Sequence, residues 1–257
     1  LSESSLSINY GDLMAEVGRF LGYPATLTDS QSAEVDSYVQ SGVRQFYYPP
    51  VVEGVEPGYA WSFLAPTDSL TTTKDQPEQD LPDDLGRILG NIYFDPSVHR
   101  QPAMMVSQGR ILQLQQQGQI PGVPKCFAVR HKASDGEDGQ RLEIVWWPTP
   151  SDVFDVKYRY EAYTGKLSEA KPYPLGGMRN AELIIESCLA VAEQRANDES
   201  GVHWGRFAAL LAAGIAQDRR MSAGHYGQMG EQGGANESRP RRDLGVFYPI
   251  TYKGETW

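Results

Sequence analysis

Apolar residues recur at helical spacing near both ends of the chain, and the spacing changes between those regions. Over residues 11–21, Leu13, Met14, Val17, Phe20 and Leu21 share one side of a predicted helix, which Gly22 and Pro24 end. A second helix is predicted from Thr28. Its hydroxyl can accept from an unpaired first-turn amide while Gln31 reaches back, the arrangement called a capping box. The stripe of this helix is Val35, Tyr38, Val39, Val43, Phe46 and Tyr47, and Pro49 and Pro50 stop it because proline has no N–H for the helical ladder. Helical spacing returns after Gly176 and Gly177. Ala181, Ile184, Ile185, Cys188, Val191 and Ala192 define one face, with Glu182, Glu186 and Glu193 expected opposite. Trp204, Phe207, Ala208, Leu211 and Ile215 define a fourth helix, whose Ala208, Ala212 and Ala216 would let a neighbouring helix approach closely.

Residues 58–163 read as extended, with one helical interruption over residues 107–117. The clearest strands are residues 125–131, 141–147 and 152–163, expected to run as a meander. In the last of them Phe154, Val156, Tyr158, Tyr160 and Ala162 alternate with Asp155, Lys157, Arg159 and Glu161, the period of a half-buried strand. Turn-rich links join them: Asp135-Gly136 and Asp138-Gly139 in one, Pro148-Thr149-Pro150 in the other. Residues 59–64 and 91–94 are weaker strand candidates. Strands this short and aromatic suggest a small antiparallel sandwich or barrel. Neither pair of helices can bury its stripes alone, so the simplest packing is one bundle from which the β region projects. The expected class is therefore α+β. A helical bundle comes from residues 9–50 and 174–221, an inserted β domain from residues 58–165, and a C-terminal arm from residues 222–257.

The arm begins with Gly224, Gly227, Gly230, Gly233 and Gly234 among polar residues, a composition that gives reach. Its end is apolar. Phe247, Tyr248, Tyr252 and Trp257 are aromatic anchors, and Arg239, Arg241 and Arg242 flank Pro240. These seven residues are the candidate partner-binding set, the arginines suiting carboxylates on a partner protein better than phosphates. The chain's charge decides that preference: 33 acidic against 23 basic side chains give a formal charge of −10, which disfavours general nucleic-acid binding. A negative wall would still let DNA slide past. No run reaches the roughly 18 apolar residues of a membrane span, and the opening residues lack a signal-peptide pattern, so the expected protein is soluble and intracellular when made. Cys126 and Cys188 lie far apart among apolar neighbours and read as buried thiols rather than a disulfide framework.

Motifs for chemistry are sparse. The chain has no phosphate-cradling glycine loop, nucleophile elbow, paired-histidine zinc signature or dinucleotide fingerprint. His99, His131, His203 and His225 are scattered, so no metal, cofactor or catalytic residue is assigned. The acidic run Asp75, Glu78, Asp80, Asp83 and Asp84 is the one candidate for acid/base work or a hard cation, with Lys74 nearby. Beside Pro82 it reads better as a solvated turn or cap. Two readings from other classes stay open. One is a carbohydrate- or ligand-binding module, using Trp146, Trp147 and the tyrosine-rich strand; the other is a hydrolase using Asp83 and Asp84.

Three segments carry a resemblance: Tyr59-Ala60-Trp61-Ser62-Phe63-Leu64, then Leu81-Pro82-Asp83-Asp84-Leu85, then Ile144-Val145-Trp146-Trp147-Pro148-Thr149-Pro150 with the strand ending at Tyr163. With the flanking helices, over residues 11–221, they resemble the neck adaptor proteins that connect head to tail in tailed bacteriophages. Leu85 stands where an aromatic is expected. The resemblance implies a structural protein without catalytic residues, located in the virion neck after assembly in the host cytoplasm. It also implies a dodecameric ring of copies of this chain, bound to the portal protein and to a tail or neck protein, with DNA passing through the lumen unbound. The tryptophans of these motifs are expected in the β-domain core or on its faces.

Overall fold

Asn9 opens the first of five α-helices found among the described residues: α1 (Tyr10–Phe20), α2 (Asp29–Tyr47), α3 (Gln108–Gln116), α4 (Ala181–Asn197) and α5 (Val202–Ser222). The computed structural model describes residues 4–52, 58–98, 100–116, 118, 120–133, 139–198, 200–222, 251–252 and 255–256. Both N-terminal helices start on a capping box, Asn9 with Asp12 and Thr28 with Gln31, the second as the sequence predicts.

Helix α4 is the axis of the helical part. Leu183, Ile184 and every residue from Glu186 to Ala192 are buried, so its surroundings are protein on nearly all sides. Gly42 lets α2 come close: a Cβ there would stand 2.8 Å from the Cys188 backbone nitrogen, and the Gly42 carbonyl accepts the Ser187 hydroxyl at 2.7 Å. Phe207, Leu211 and Ile215 bring α5 to another side of α4. Glu186, expected on a solvated face, is buried instead. The reason is its partners, His203 and Arg206 on α5.

Residues 59–64 are not a strand. Ser62–Leu64 form a 3-10 turn, and Asp218 of α5 holds this segment by accepting from the Tyr59 hydroxyl (2.6 Å), the Ser62 amide (2.9 Å) and the Ser62 hydroxyl (2.5 Å). Trp61 therefore belongs to the helical core rather than the β core. Its indole N–H donates to the Phe46 carbonyl at 2.9 Å, and its ring packs among Phe46, Tyr59 and Phe63.

Between α2 and α4 run β1 (Thr67–Thr71), β2 (Glu78–Asp80), β3 (Leu85–Phe94), β4 (Met104–Met105), β5 (Pro121–Gly122), β6 (Cys126–His131), β7 (Leu142–Trp147), β8 (Thr149–Pro150) and β9 (Asp155–Ala162). One sheet has the order β1-β9-β3 and another β2-β7-β6-β4; β4 meets β6 in parallel, as β5 meets β8. Ile92 and Ala103 exchange backbone hydrogen bonds at 3.1 and 2.9 Å, linking β3 towards β4, and Gln79 Nε2 donates to the Thr71 carbonyl at 2.7 Å, linking β2 to β1. The two sheets thus approach a closed barrel around Leu85, Ile88, Phe127, Ile144, Trp146, Val156 and Tyr158. The α+β class follows.

The expected meander breaks after β7. Pro148 and Pro150 have no N–H to continue the β7 ladder; Thr149–Pro150 pairs with Pro121–Gly122, and β9 enters the other sheet between β1 and β3. Its alternation is as predicted, with Val156, Tyr158, Tyr160 and Ala162 inside. The apolar run of β7 has a separate cause: Ile144 and Trp146 face the barrel core, while Val145 and Trp147 lie under α3 with Cys126, Ala128, Ile111 and Leu114. Residues 1–223 form one unit. Residues 224–257 form a second, in which Thr251–Tyr252 (β10) pairs antiparallel with Glu255–Thr256 (β11).

Candidate functional site

The outer face of the sheet β2-β7-β6-β4 has two halves. Helix α3 covers the apolar half, and the other half carries the acidic run opposite Arg130 of β6 and opposite Lys132 and Arg141, which flank β6 and β7. The antiparallel register puts Arg130 across from Glu143 and Asp80 across from Glu143, so the side chains of three strands converge. Arg130 bridges Glu143 at 2.6 Å and Glu78 at 2.7 Å; Lys132 meets Asp80 at 2.8 Å, and Arg141 meets Asp83 at 3.5 Å. The hydrogen bond to Glu143 holds the Arg130 guanidinium more firmly protonated than usual, with Glu78 adding to it. Asp84 accepts the Tyr160 hydroxyl at 3.0 Å, and burial together with that carboxylate pushes the Tyr160 pKa up to about 12.

Asp83 and Asp84 form the solvated turn that the sequence predicts, with the Leu85 amide donating to the Pro82 carbonyl at 3.1 Å, while the earlier part of the run departs from that reading. Glu78–Asp80 is an edge strand, and Glu78, Asp80, Asp83 and Asp84 each have a cation or a phenol as partner. Such a lattice neutralises carboxylates instead of poising two of them as acid and base. Gln76, Glu78, Gln79, Asp80 and Glu143 line an open depression beside it, and Tyr10, Gly11, Met14, Ser32, Glu169 and Pro172 line another between α1 and α2. Among the described residues, no group of three or more His, Cys, Asp or Glu is placed to hold a metal ion.

The second polar cluster went unnoticed in the sequence. Glu186 lies 2.7 Å from His203 Nδ1 and pairs with Arg206 at 3.0 Å, while Glu193 accepts the His203 backbone N–H at 3.1 Å. The ring of Phe20 stands edge-on to His203 at 5.3 Å. Two α4 carboxylates therefore serve the N-terminus of α5, where unpaired amides and the helix dipole favour negative charge. The available signal was Glu186 and Glu193, seven residues apart on one helix side, followed by a histidine at the next helix start.

The aromatics proposed for a carbohydrate platform are inside. Trp146 and Tyr158 are 1% exposed and Tyr160 is 7% exposed, all facing the barrel core, and Trp147 is half-buried beneath α3. Cys126 and Cys188 are buried free thiols, and burial pushes the Cys188 thiol up to about 12. His99, His225 and the candidate partner residues Arg239, Arg241, Arg242, Phe247, Tyr248 and Trp257 lie outside the described residues; of Tyr252, the backbone in β10 is described.

A family model for the SU10 adaptor protein matches residues 8–229. The chain belongs to the SU10 adaptor protein family. It is thus a bacteriophage adaptor, a structural component of the virion that contacts other phage structural proteins. No curated protein matches the chain. The family match extends past both ends of the three motif segments and includes the five α-helices found among the described residues. None of the helices among its described residues is long and apolar enough to cross a membrane.

Proposed function

We propose that this adaptor forms a closed ring in the virion neck, between the portal protein and the next tail or neck protein, and extends the channel through which DNA passes. Membership of the adaptor family over residues 8–229 carries the reading. A closed ring is how copies of one chain surround a channel, through one heterologous contact repeated. The formal charge of −10 suits a lumen that repels the DNA backbone and so does not trap it. Within the chain, the bundle of residues 9–50 and 174–221 is the assembling body, residues 58–165 are an inserted β domain, and residues 222–257 are the arm. Arg239, Arg241, Arg242, Phe247, Tyr248, Tyr252 and Trp257 engage the portal. No step of this function requires a cofactor or a turnover. Cryo-microscopy of the parent virion tests it: the expected result is a ring of this chain, twelve copies by the family resemblance, below the portal. A single copy, or a neck without this chain, overturns it.

A further inference from the structure

Charge is unevenly placed along the chain. Residues 96–134 hold five basic side chains and no carboxylate, so the remaining residues, with 18 basic and 33 acidic side chains, carry −15. Arg130 and Lys132 of that stretch are engaged within the copy, by Glu78, Glu143 and Asp80. Arg110 of α3 and Lys125 before β6 are not. Both are exposed, and among the described residues neither has a carboxylate within ion-pair distance; Arg110 donates to Gln113 Oε1 at 3.3 Å instead.

The two cations lie at one corner of the β domain. The Lys125 carbonyl accepts the Met104 amide at 3.0 Å, and Met104 and Met105 run beside Cys126 and Phe127 as the edge strand of their sheet. Arg110 stands near the same place: burial pushes the Cys126 thiol up, and the Arg110 charge partly offsets the rise. Met104 and Met105 are exposed, and so is Leu112, two residues on in α3. Methionine and arginine are enriched where proteins meet, and acidic residues are depleted there. A nucleic acid would answer the cations and leave the methionines in water, so the composition fits a protein carrying carboxylates of its own.

Resting on the ring reading above, we propose that this β4–α3 face, with Met104, Met105, Arg110 and Lys125, packs in each copy against an acidic face of the next copy around the ring. Copies that each carry −10 repel one another. A carboxylate-free face set against the remainder at −15 turns that repulsion into attraction at the contact. The face does not suit itself across a two-fold axis, because Arg110 and Lys125 would then meet the same cations of the second copy. The contact is therefore head-to-tail, the kind that repeats around a circle.

The test treats assembled virions with a carbodiimide, which joins a lysine to a carboxylate in direct contact, and reads the joined peptides by mass spectrometry. Multiples of the chain are expected, with Lys125 joined to an aspartate or glutamate of a second copy and that bond absent from the monomer band. Lys125→Arg keeps the charge and should remove it. Lys125 joined to the portal, joined by formaldehyde to DNA, or joined within the monomer band alone overturns the proposal. Unjoined Lys125, in virions whose micrographs show the ring, overturns the β4–α3 contact and leaves the ring standing; a neck without a ring removes both. Arg110→Glu with Lys125→Glu, at exposed positions, should keep the melting transition of the isolated chain and lose incorporation into virions. Incorporation at the unsubstituted level also overturns the proposal.

Discussion

Tyr47 ends α2 with its hydroxyl 2.7 Å from the Leu175 amide, which it accepts, and burial pushes its pKa up to about 12. In an unfolded chain a tyrosine ionises near pH ~10. Above that pH the unfolded chain has lost a proton that the folded protein keeps, so stability present below it is lost as pH rises towards 12, by about 1.4 kcal/mol per pH unit. Tyr10, half-buried and bonded to Asp36, and Tyr160, buried and bonded to Asp84, are also pushed up to about 12 and act in the same direction. Urea unfolding across this alkaline window should show a shallower decline for Tyr47→Phe than for the unsubstituted chain; an identical decline would assign the effect to the other raised tyrosines, which include Tyr48 and Tyr158. Gly42 makes a steric prediction. Because its neighbour is the Cys188 backbone rather than a movable side-chain end, Gly42→Ala must push α2 from α4. The expected cost is about 1–3 kcal/mol, read as a lower melting temperature. An unchanged melt would mean that α4 yields freely there.

On the β2-β7-β6 face the ion pairs differ in worth because they differ in burial. Arg130 and Glu143 have 25% and 12% of their side chains exposed, and Arg130 also holds Glu78, whereas the Arg141–Asp83 pair is long and Asp83 is 77% exposed. Arg130→Ala should therefore cost about 1–3 kcal/mol by leaving Glu143 half-desolvated without its partner. Asp83→Ala should stay within about 0.5 kcal/mol, and Asp83→Ala with Asp84→Ala near 1 kcal/mol through the lost Tyr160 bond. Denaturant unfolding of the three variants checks the order, and equal losses would contradict it. The same face shows where the sequence was readable. The start of α2 was legible because a cap is a local signal of four residues, and β9 because alternation needs only its own side chains. Strand partners are not local. β1 and β2 carry exposed, polar residues, so nothing in them announces that β1 pairs with β9, or that Glu78–Asp80 is a strand. Trp61 looked like a strand residue because its destination is set by Phe46 and Asp218, 15 and 157 positions away. Glu186 looked solvated for a similar reason: its burial depends on a histidine and an arginine of the following helix.

At the scale of the whole molecule, the buried side chains of the three apolar clusters among the described residues fall within residues 8–215. The family was legible in the order of helices, β insertion and helices, while the proposed contact surfaces were less so, since an exposed methionine is visible only once burial is known. The arm stands apart from that core in sequence and carries Phe247, Tyr248, Tyr252 and Trp257, whose ordering entropy must be offset by burial against something. Pro249 disfavours a helix there, and an extended segment can lie in a groove or add to a sheet edge of a partner. Deleting residues 236–257 removes all seven proposed partner residues and leaves every core-cluster residue named among the described residues. The truncated adaptor should therefore keep its melting transition, measured by circular dichroism, while failing to co-sediment with portal and to enter virions. Retained portal binding would free the arm of this role, and a lost melting transition would mean that residues 1–223 need the arm to fold.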